Sequence, residues 1–300
     1  MTGYEALRDG AAWIDLRARG LIRMTGEDRA RLLHAMTTNH IQQLQPGDWC
    51  YTFFLNAQGR ILADAYVLCR EEEILLDVEP ERRAFVLEHL DKFIIADDVT
   101  LEDVSEQYAL TAIEGPQAAA PALAPKAFGL AVAGITATGL SGVRVYVEAA
   151  RRDELLSQLA AAGIPEADAA AVEAVRLENA RPCYGVDVTD GYLVQETRLM
   201  HAVSFSKGCY LGQEIVERVR ARANPHKYLT QVWIETETAP APGTELKGGE
   251  AVVGKLTSAA YSPAHGKVAA LAYVQTAWTI AGKEMACDGA RAVVSERMVA

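Results

Sequence analysis

The chain has 300 residues, half of them apolar and 23% charged. This is globular composition, and the length favours two or three domains over one hydrophobic core. The net charge of −11 lies entirely in residues 1–225, which argues against nucleic-acid binding over the general surface. The five cysteines, at 50, 69, 183, 209 and 287, are odd in number and widely spaced. That spacing speaks against a secreted disulfide framework and against a self-contained zinc or iron–sulfur site, so no metal site is expected.

Ala12–Leu16 and Gly20–Met24 read as short strands. Thr25-Gly26-Glu27-Asp28 offers a helix cap with acids in the first turn, and the helix behind it turns Ala30, Leu33 and Met36 inward. Gln45-Pro46-Gly47-Asp48 is a turn. Trp49–Leu55 and Arg60–Cys69 flank an Asn56…Gly59 break and read as a hairpin. Glu73–Asp77 is a strand. Pro80–Phe93 is an amphipathic helix with Phe85, Val86, Leu90 and Phe93 on its apolar side. Val99–Val104 and Tyr108–Glu114 are strand-like.

Pro116–Ala133 is Ala/Pro-rich and reads as a short helix, Gln117–Leu123, followed by loop. Gly142–Glu148 is a strand. Arg151–Ala162 is a helix closed by Gly163. Ala167–Asn179 is a helix ended by Arg181-Pro182. Residues 180–206 read as irregular, which is uncommon over such a length and often functional. Gln213–Ala223 is a helix ended by Asn224-Pro225. From Tyr228 short β-runs (Thr230–Thr236, Ala251–Ser258, Val268–Val274, Ala290–Glu296) alternate with Pro/Gly turns, the texture of a small barrel or sandwich. The expected division is 1–110 and 111–225, both α+β, then 226–300, all β. Met1–Leu16 is too charged for a signal peptide, and no run reaches about 18 apolar residues. A cytoplasmic location without membrane attachment is expected.

The segment Lys207-Gly208-Cys209-Tyr210-Leu211-Gly212-Gln213-Glu214 stands out. Lys207 lies two residues from Cys209 and a helix starts just beyond it. A cation and a helix N-terminus both favour thiolate, which makes Cys209 a candidate activated cysteine. The same residues also fit a tight turn with a buried thiol. The basic run Arg218, Arg220, Arg222, His226, Lys227 is either a solvated helix face or an anion-binding one. Asp64 alone fits a strand residue facing solvent, and Glu178 alone an exposed helix charge. No HExxH, nucleophile elbow, P-loop or dinucleotide fingerprint is present.

Lys207 to Glu214, with Val203-Ser204-Phe205 before it, resembles the signature of the YgfZ/GcvT-like folate-binding family, relatives of the glycine cleavage T-protein (aminomethyltransferase). The similarity extends to Leu55-Asn56-Ala57-Gln58-Gly59-Arg60-Ile61-Leu62-Ala63-Asp64, Arg176-Leu177-Glu178 and, near the end, Val253–Ser258 and Ala269–Val274. It implies an α+β, aminomethyltransferase-like fold: two α+β domains and a C-terminal small β-barrel, arranged as a ring around a central channel that folate enters. It implies tetrahydrofolate or a one-carbon derivative as cofactor. Asn56, Asp64, Glu178, Glu196, Arg198 and Tyr210 would contact it, with Glu178 on the pterin. The family's acid pair reads Ala63-Asp64 here, and the stretch around Glu196 lacks the proline and asparagine found in its iron–sulfur branch.

Three functions of different classes fit. One is a tetrahydrofolate-binding accessory protein in assembly or repair of iron–sulfur proteins, working through Cys209 with Lys207. Its partners would be those proteins or their assembly machinery, and any link to tRNA modification would be indirect. The others are a folate-dependent aminomethyltransferase and a non-catalytic folate-binding scaffold.

Overall fold

The computed structural model describes residues 1–118, 127–222 and 225–299. The chain forms two compact units, each assembled from separated stretches. One comprises Met1–Leu16, Ala109–Asp187 and Pro225–Ala300; the other comprises Arg17–Tyr108 and Val188–Asn224. Composition along the chain does not register this interleaving.

The second unit is built on a five-stranded sheet of β2 (Gly20–Thr25), β3 (Trp49–Leu55), β4 (Ile61–Cys69), β5 (Ile74–Val78) and β6 (Thr100–Asp103), in the order β3-β4-β5-β2-β6. The β3–β4 hairpin follows from its turn. Asn56 Oδ1 accepts from the amides of Gln58 and Arg60, and Gly59 takes a positive φ of 71°. That register sets Phe53 opposite Asp64 and Tyr51 opposite Tyr66. The helices α2 (Arg29–Met36) and α3 (Arg83–Asp91) pack Leu32, Leu33, Met36, Val86 and Leu90 into this unit's core with Ile22, Phe54 and Val67.

The first unit opens with α1 (Gly3–Asp9), whose first turn is closed by a Thr2/Glu5 capping box. Its sheet runs β1-β7-β9-β8, from β1 (Ala12–Asp15), β7 (Tyr108–Glu114), β8 (Gly129–Ala133) and β9 (Gly142–Glu148). Helix α4 (Arg152–Ala161) buries Leu155 and Leu159 with Val145 and Val147. Helix α5 (Ala169–Glu178) is capped by Asp168, which accepts from Ala171 N at 2.8 Å.

Six strands then close into a barrel in the order β10-β13-β12-β11-β14-β15: β10 (Lys227–Ile234), β11 (Glu245–Gly248), β12 (Ala251–Ser262), β13 (Lys267–Gln275), β14 (Glu284–Cys287) and β15 (Ala290–Val294). The barrel's core is Val232, Ile234, Leu246, Val253, Leu256, Val268, Ala270 and Val274 with their neighbours.

Several expectations change in detail. Thr25 ends a strand, and Asp28 rather than Thr25 precedes α2 with no side-chain cap, so Glu27 lies outside the helix. The Pro80–Phe93 helix begins with a separate 3₁₀ turn at Pro80–Arg82. Phe93 lies beyond its end at 42% exposure, off the apolar face. Strand β8 falls inside the stretch read as loop; its Gly129-Leu130 start follows an Ala/Pro-rich run that masks the pattern. Helix α6 (Val194–Thr197) and a 3₁₀ turn at Met200–Ala202 interrupt the irregular 180–206 stretch. Strands β11 and β14, four residues each, lie between the β-runs expected from the sequence. Helix α7 (Gln213–Arg222) stands as expected. Residues 119–123 of the Gln117–Leu123 helix, the helix end at Ala223 and the Arg222 side chain lie outside what the structure describes.

Candidate functional site

In the second unit the stretch 191–212 is laid across the end of α2 and the β3–β4 hairpin by bonds to its backbone groups. Arg60 Nη1 donates to Gly191 O at 2.7 Å. Thr38 Oγ1 donates to Ala202 O at 2.6 Å, Ser204 N to Thr38 O at 2.9 Å and Leu211 N to Ala35 O at 3.2 Å. Gly212 approaches the hairpin so closely that a Cβ there would lie 2.6 Å from Asn56 O, and its φ is +85°. Both conditions call for glycine in the motif.

Cys209 is exposed, while the other four cysteines are buried or half-buried. Burial pushes the Cys50 thiol up to about 12 and the Cys287 thiol up to about 11. Lys207 departs from its expected place beside the thiol. It is 6% exposed, and its ammonium donates to the carbonyl oxygens of His34, Thr37 and Asn39. The ammonium also sits 4.8 Å from the centre of the Tyr210 ring. His34 O and Thr37 O lie in the last turn and the cap of α2, where carbonyls attract a cation, and Asn39 O lies two residues beyond the cap. Burial nevertheless pulls the Lys207 ammonium down to about 7. Tyr210 is buried, its hydroxyl has no hydrogen-bond partner, and desolvation raises it to about 12.

Asp64 is not the solvent-facing strand residue that its position alone suggested. It is 3% exposed. Its Oδ2 accepts from Tyr51 Oη at 2.7 Å, and its Oδ1 is buried without a partner. Arg19 nearby binds Asp77 and Glu79. Burial first, then the charge of Glu79, raise the Asp64 carboxyl to about 7 against the opposing pull of Arg19 and the Tyr51 bond. The Tyr51 ring stacks on His201 at 5.6 Å and tilts against Tyr66 at 5.0 Å.

Asn56 and Glu196 make local contacts. The Asn56 side-chain oxygen holds the hairpin turn. Glu196 Oε2 accepts from Leu193 N at 2.9 Å and closes the start of α6. Arg198 ends α6 in the left-handed region, φ 64°. Of the basic run, Arg218 and Arg220 behave as a solvated helix face: Arg218 pairs with Glu214 at 2.7 Å, and Arg220 lies over the Phe205 ring.

Glu178 belongs to the first unit, at the end of α5, and is 8% exposed rather than an exposed helix charge. Its Oε1 accepts from Tyr4 Oη at 2.5 Å and Ser262 Oγ at 2.6 Å, and Arg8 Nη1 lies 3.8 Å from its Oε2. It lines a cavity of ≈ 320 Å³ with Arg8, Gln231, Trp233, His265 and Arg297. Gln231 is 1% exposed; its amide nitrogen donates to Leu177 O and Glu178 O, which leaves Oε1 buried without a partner. Trp233 and His265 rings lie 4.5 Å apart.

Sequence reasoning missed Tyr4 and Ser262, which no local pattern connects to Glu178, and Gln231. The last had a signal: it is a polar residue inside the run Leu229-Thr230-Gln231-Val232-Trp233. Among the described residues no group of three or more His, Cys, Asp or Glu is placed to hold a metal ion. No helix there is long and apolar enough to cross a membrane.

A chain of α+β sheets ending in a six-stranded barrel is the aminomethyltransferase fold. The crystal structure of the glycine cleavage system aminomethyltransferase T from Bartonella henselae superposes with a TM-score of 0.87 at 20% identity, covering 98% of this chain and 87% of that one. The GCVT N-terminal domain matches residues 2–127, and the glycine cleavage T-protein C-terminal barrel domain matches residues 229–297. The aminomethyltransferase of Streptomyces avermitilis is 30% identical over 305 residues, spanning 92% of this chain and 82% of that protein. That of Nostoc sp. is 29% identical over 300 residues, spanning 90% and 78%. The chain belongs to the glycine cleavage T-protein, or aminomethyltransferase, family.

Proposed function

We propose that this protein binds tetrahydrofolate or a one-carbon derivative, with Glu178 on the pterin, and serves through Cys209 as an accessory factor in the assembly or repair of iron–sulfur proteins. The observation that carries the folate reading is the cavity at Glu178. It offers a buried carboxylate and the unpartnered Oε1 of Gln231. A pterin edge presents an N–H and an amino group, the donors such acceptors require. The Trp233 and His265 rings suit a flat heterocycle, and Arg8 and Arg297 suit an anionic tail. Bound tetrahydrofolate supplies a ring nitrogen, N5, and a side-chain amine, N10, that accept or release a one-carbon unit. What supports the accessory role is the exposed Cys209 in a segment that resembles the YgfZ signature, together with Ala63 where the aminomethyltransferase pattern has an acid.

Anaerobic calorimetric titration with tetrahydrofolate tests the cavity. Glu178→Gln and Gln231→Leu should each weaken binding about ten- to hundredfold, the range for a hydrogen bond to a charged or buried group. Affinity unchanged in both variants would place the pterin elsewhere. Glu178→Gln is the better variant, because alanine would also strand the Tyr4 and Ser262 hydroxyls.

A second reading, aminomethyl transfer to tetrahydrofolate, is favoured by Asp64. Its buried carboxyl, lifted to about 7 with one free oxygen, can exchange a proton near neutrality. Formation of methylene-tetrahydrofolate by the wild type, lost in Asp64→Asn and retained in Cys209→Ala, would select that reading.

A further inference from the structure

We propose that Lys207 is a positioning residue, whose ammonium closes the carboxyl end of α2 and so fixes the arch of residues 207–211 that holds Cys209 at the surface. The inference rests on the reading that Cys209 is the functional thiol. Around that thiol, burial alternates along the chain: Lys207 and Tyr210 turn inward, and Gly208 and Cys209 between them face solvent. Both inward residues are anchors. The Lys207 ammonium has three protons, and each has an acceptor in the His34, Thr37 and Asn39 carbonyls, the last at 2.8 Å. The Tyr210 ring lies under the same ammonium. Leu211 N then donates to Ala35 O, the carbonyl that follows His34 O in the last turn of α2, and closes the far side of the arch.

The cation has no carboxylate partner among the described residues. The titratable groups around it are His34, His40, Cys50 and Tyr210. Burial first, then the neighbouring Lys207, drive His34 down to about 4, so its ring is neutral near pH 7. The attraction that holds Lys207 is therefore with backbone carbonyls at a helix end, where partial negative charge gathers. Three carbonyls converging on a point suit a compact ammonium. A planar guanidinium cannot aim three donors at them together. An ammonium so held has no proton left for the thiol, so Lys207 acts on Cys209 through the backbone.

Two measurements on the full chain test this, and neither depends on folate or on a partner. In the wild type at about pH 5, below the Lys207 titration at about 7, hydrogen exchange of the Lys207 ammonium protons followed by NMR should be at least about tenfold slower than at the exposed Lys92 and Lys255, as expected for donors engaged in buried hydrogen bonds. Equal rates would overturn the proposal. In Lys207→Met, amide exchange at Leu211 should accelerate by at least about tenfold, the equivalent of losing one hydrogen bond to a charged group. Exchange in the barrel strands should not change. The pH midpoint for alkylation of Cys209 by iodoacetamide should also stay where it is in the wild type. A raised midpoint with unchanged Leu211 exchange would show that Lys207 acts as a charge on the thiol, and would overturn the proposal. If Lys207→Met does not fold, Lys207→Arg is read in the same way; wild-type protection of Leu211 in that variant would refute the requirement for a compact ammonium.

Discussion

Cys209 differs from the other cysteines of the chain by its exposure. Its side chain holds nothing together, so Cys209→Ala should leave stability within about 0.5 kcal/mol of wild type and folate affinity unaltered. Its ability to restore iron–sulfur enzyme activity in a deletion strain should be lost. Full restoration by the variant would end the accessory-factor reading. Asp64 makes a different demand. An aspartate in an unfolded chain titrates near about 3.9, whereas Asp64 in the fold titrates at about 7. Between those values the folded protein keeps a proton that the unfolded chain has released. The stability this group contributes is therefore complete below about pH 4 and lost as pH rises through about 7. Asp64→Asn removes that dependence. Denaturant unfolding at about pH 5 and pH 8 should show a smaller loss of stability for the variant than for the wild type. An equal loss would mean the carboxyl is not protonated in the fold.

Among the elements, α5 is tied to the barrel strand β12 by ions that no sequence pattern announced. Arg176 Nη1 pairs with Asp187 Oδ2 at 2.7 Å, and the Thr257 and Ser258 hydroxyls converge on Asp187 Oδ1. Asp187 is fully buried. Its removal leaves a buried guanidinium half-compensated by Glu173, so Asp187→Ala should cost about 3–5 kcal/mol in a denaturant titration. A loss below about 1 kcal/mol would show that Arg176 finds other partners.

The elements themselves were largely readable. Hydrophobic period and turn residues located the β3–β4 hairpin, the helices α2, α4, α5 and α7 and the longer barrel strands, because those signals are local. Strand β8 was hidden by the Ala/Pro-rich run before it, and β11 and β14 fall between the β-runs that the sequence marks. The site divides the same way. Cys209 and Glu178 stood out by their motifs. The inward turn of Lys207, the burial of Asp64 and the meeting of Glu178 with Tyr4 and Ser262 depend on residues up to 174 positions apart. Tertiary packing alone determines them.

At the level of the whole molecule, each unit takes its chain from more than one place. Residues 1–110 alone would lack 188–224, which completes the second unit, and would cut β7 four residues before its end. That fragment should not fold cooperatively, whereas residues 17–108 joined by a short linker to 188–224 should. Amide exchange on the two polypeptides decides the matter, and a protected 1–110 fragment would contradict the division.

The same interleaving sets a timetable at the ribosome. The second unit has its first stretch in hand once Tyr108 is made, but must wait for Asn224 before it can close. At ordinary rates of about 5–20 residues per second, that interval is on the order of ten seconds. Throughout it the core that holds Leu33, Phe54 and Val67 lacks Leu211, which packs against it from the late stretch. The motif that carries Cys209 lies in the late stretch, so the thiol reaches its display position only when the unit closes around it.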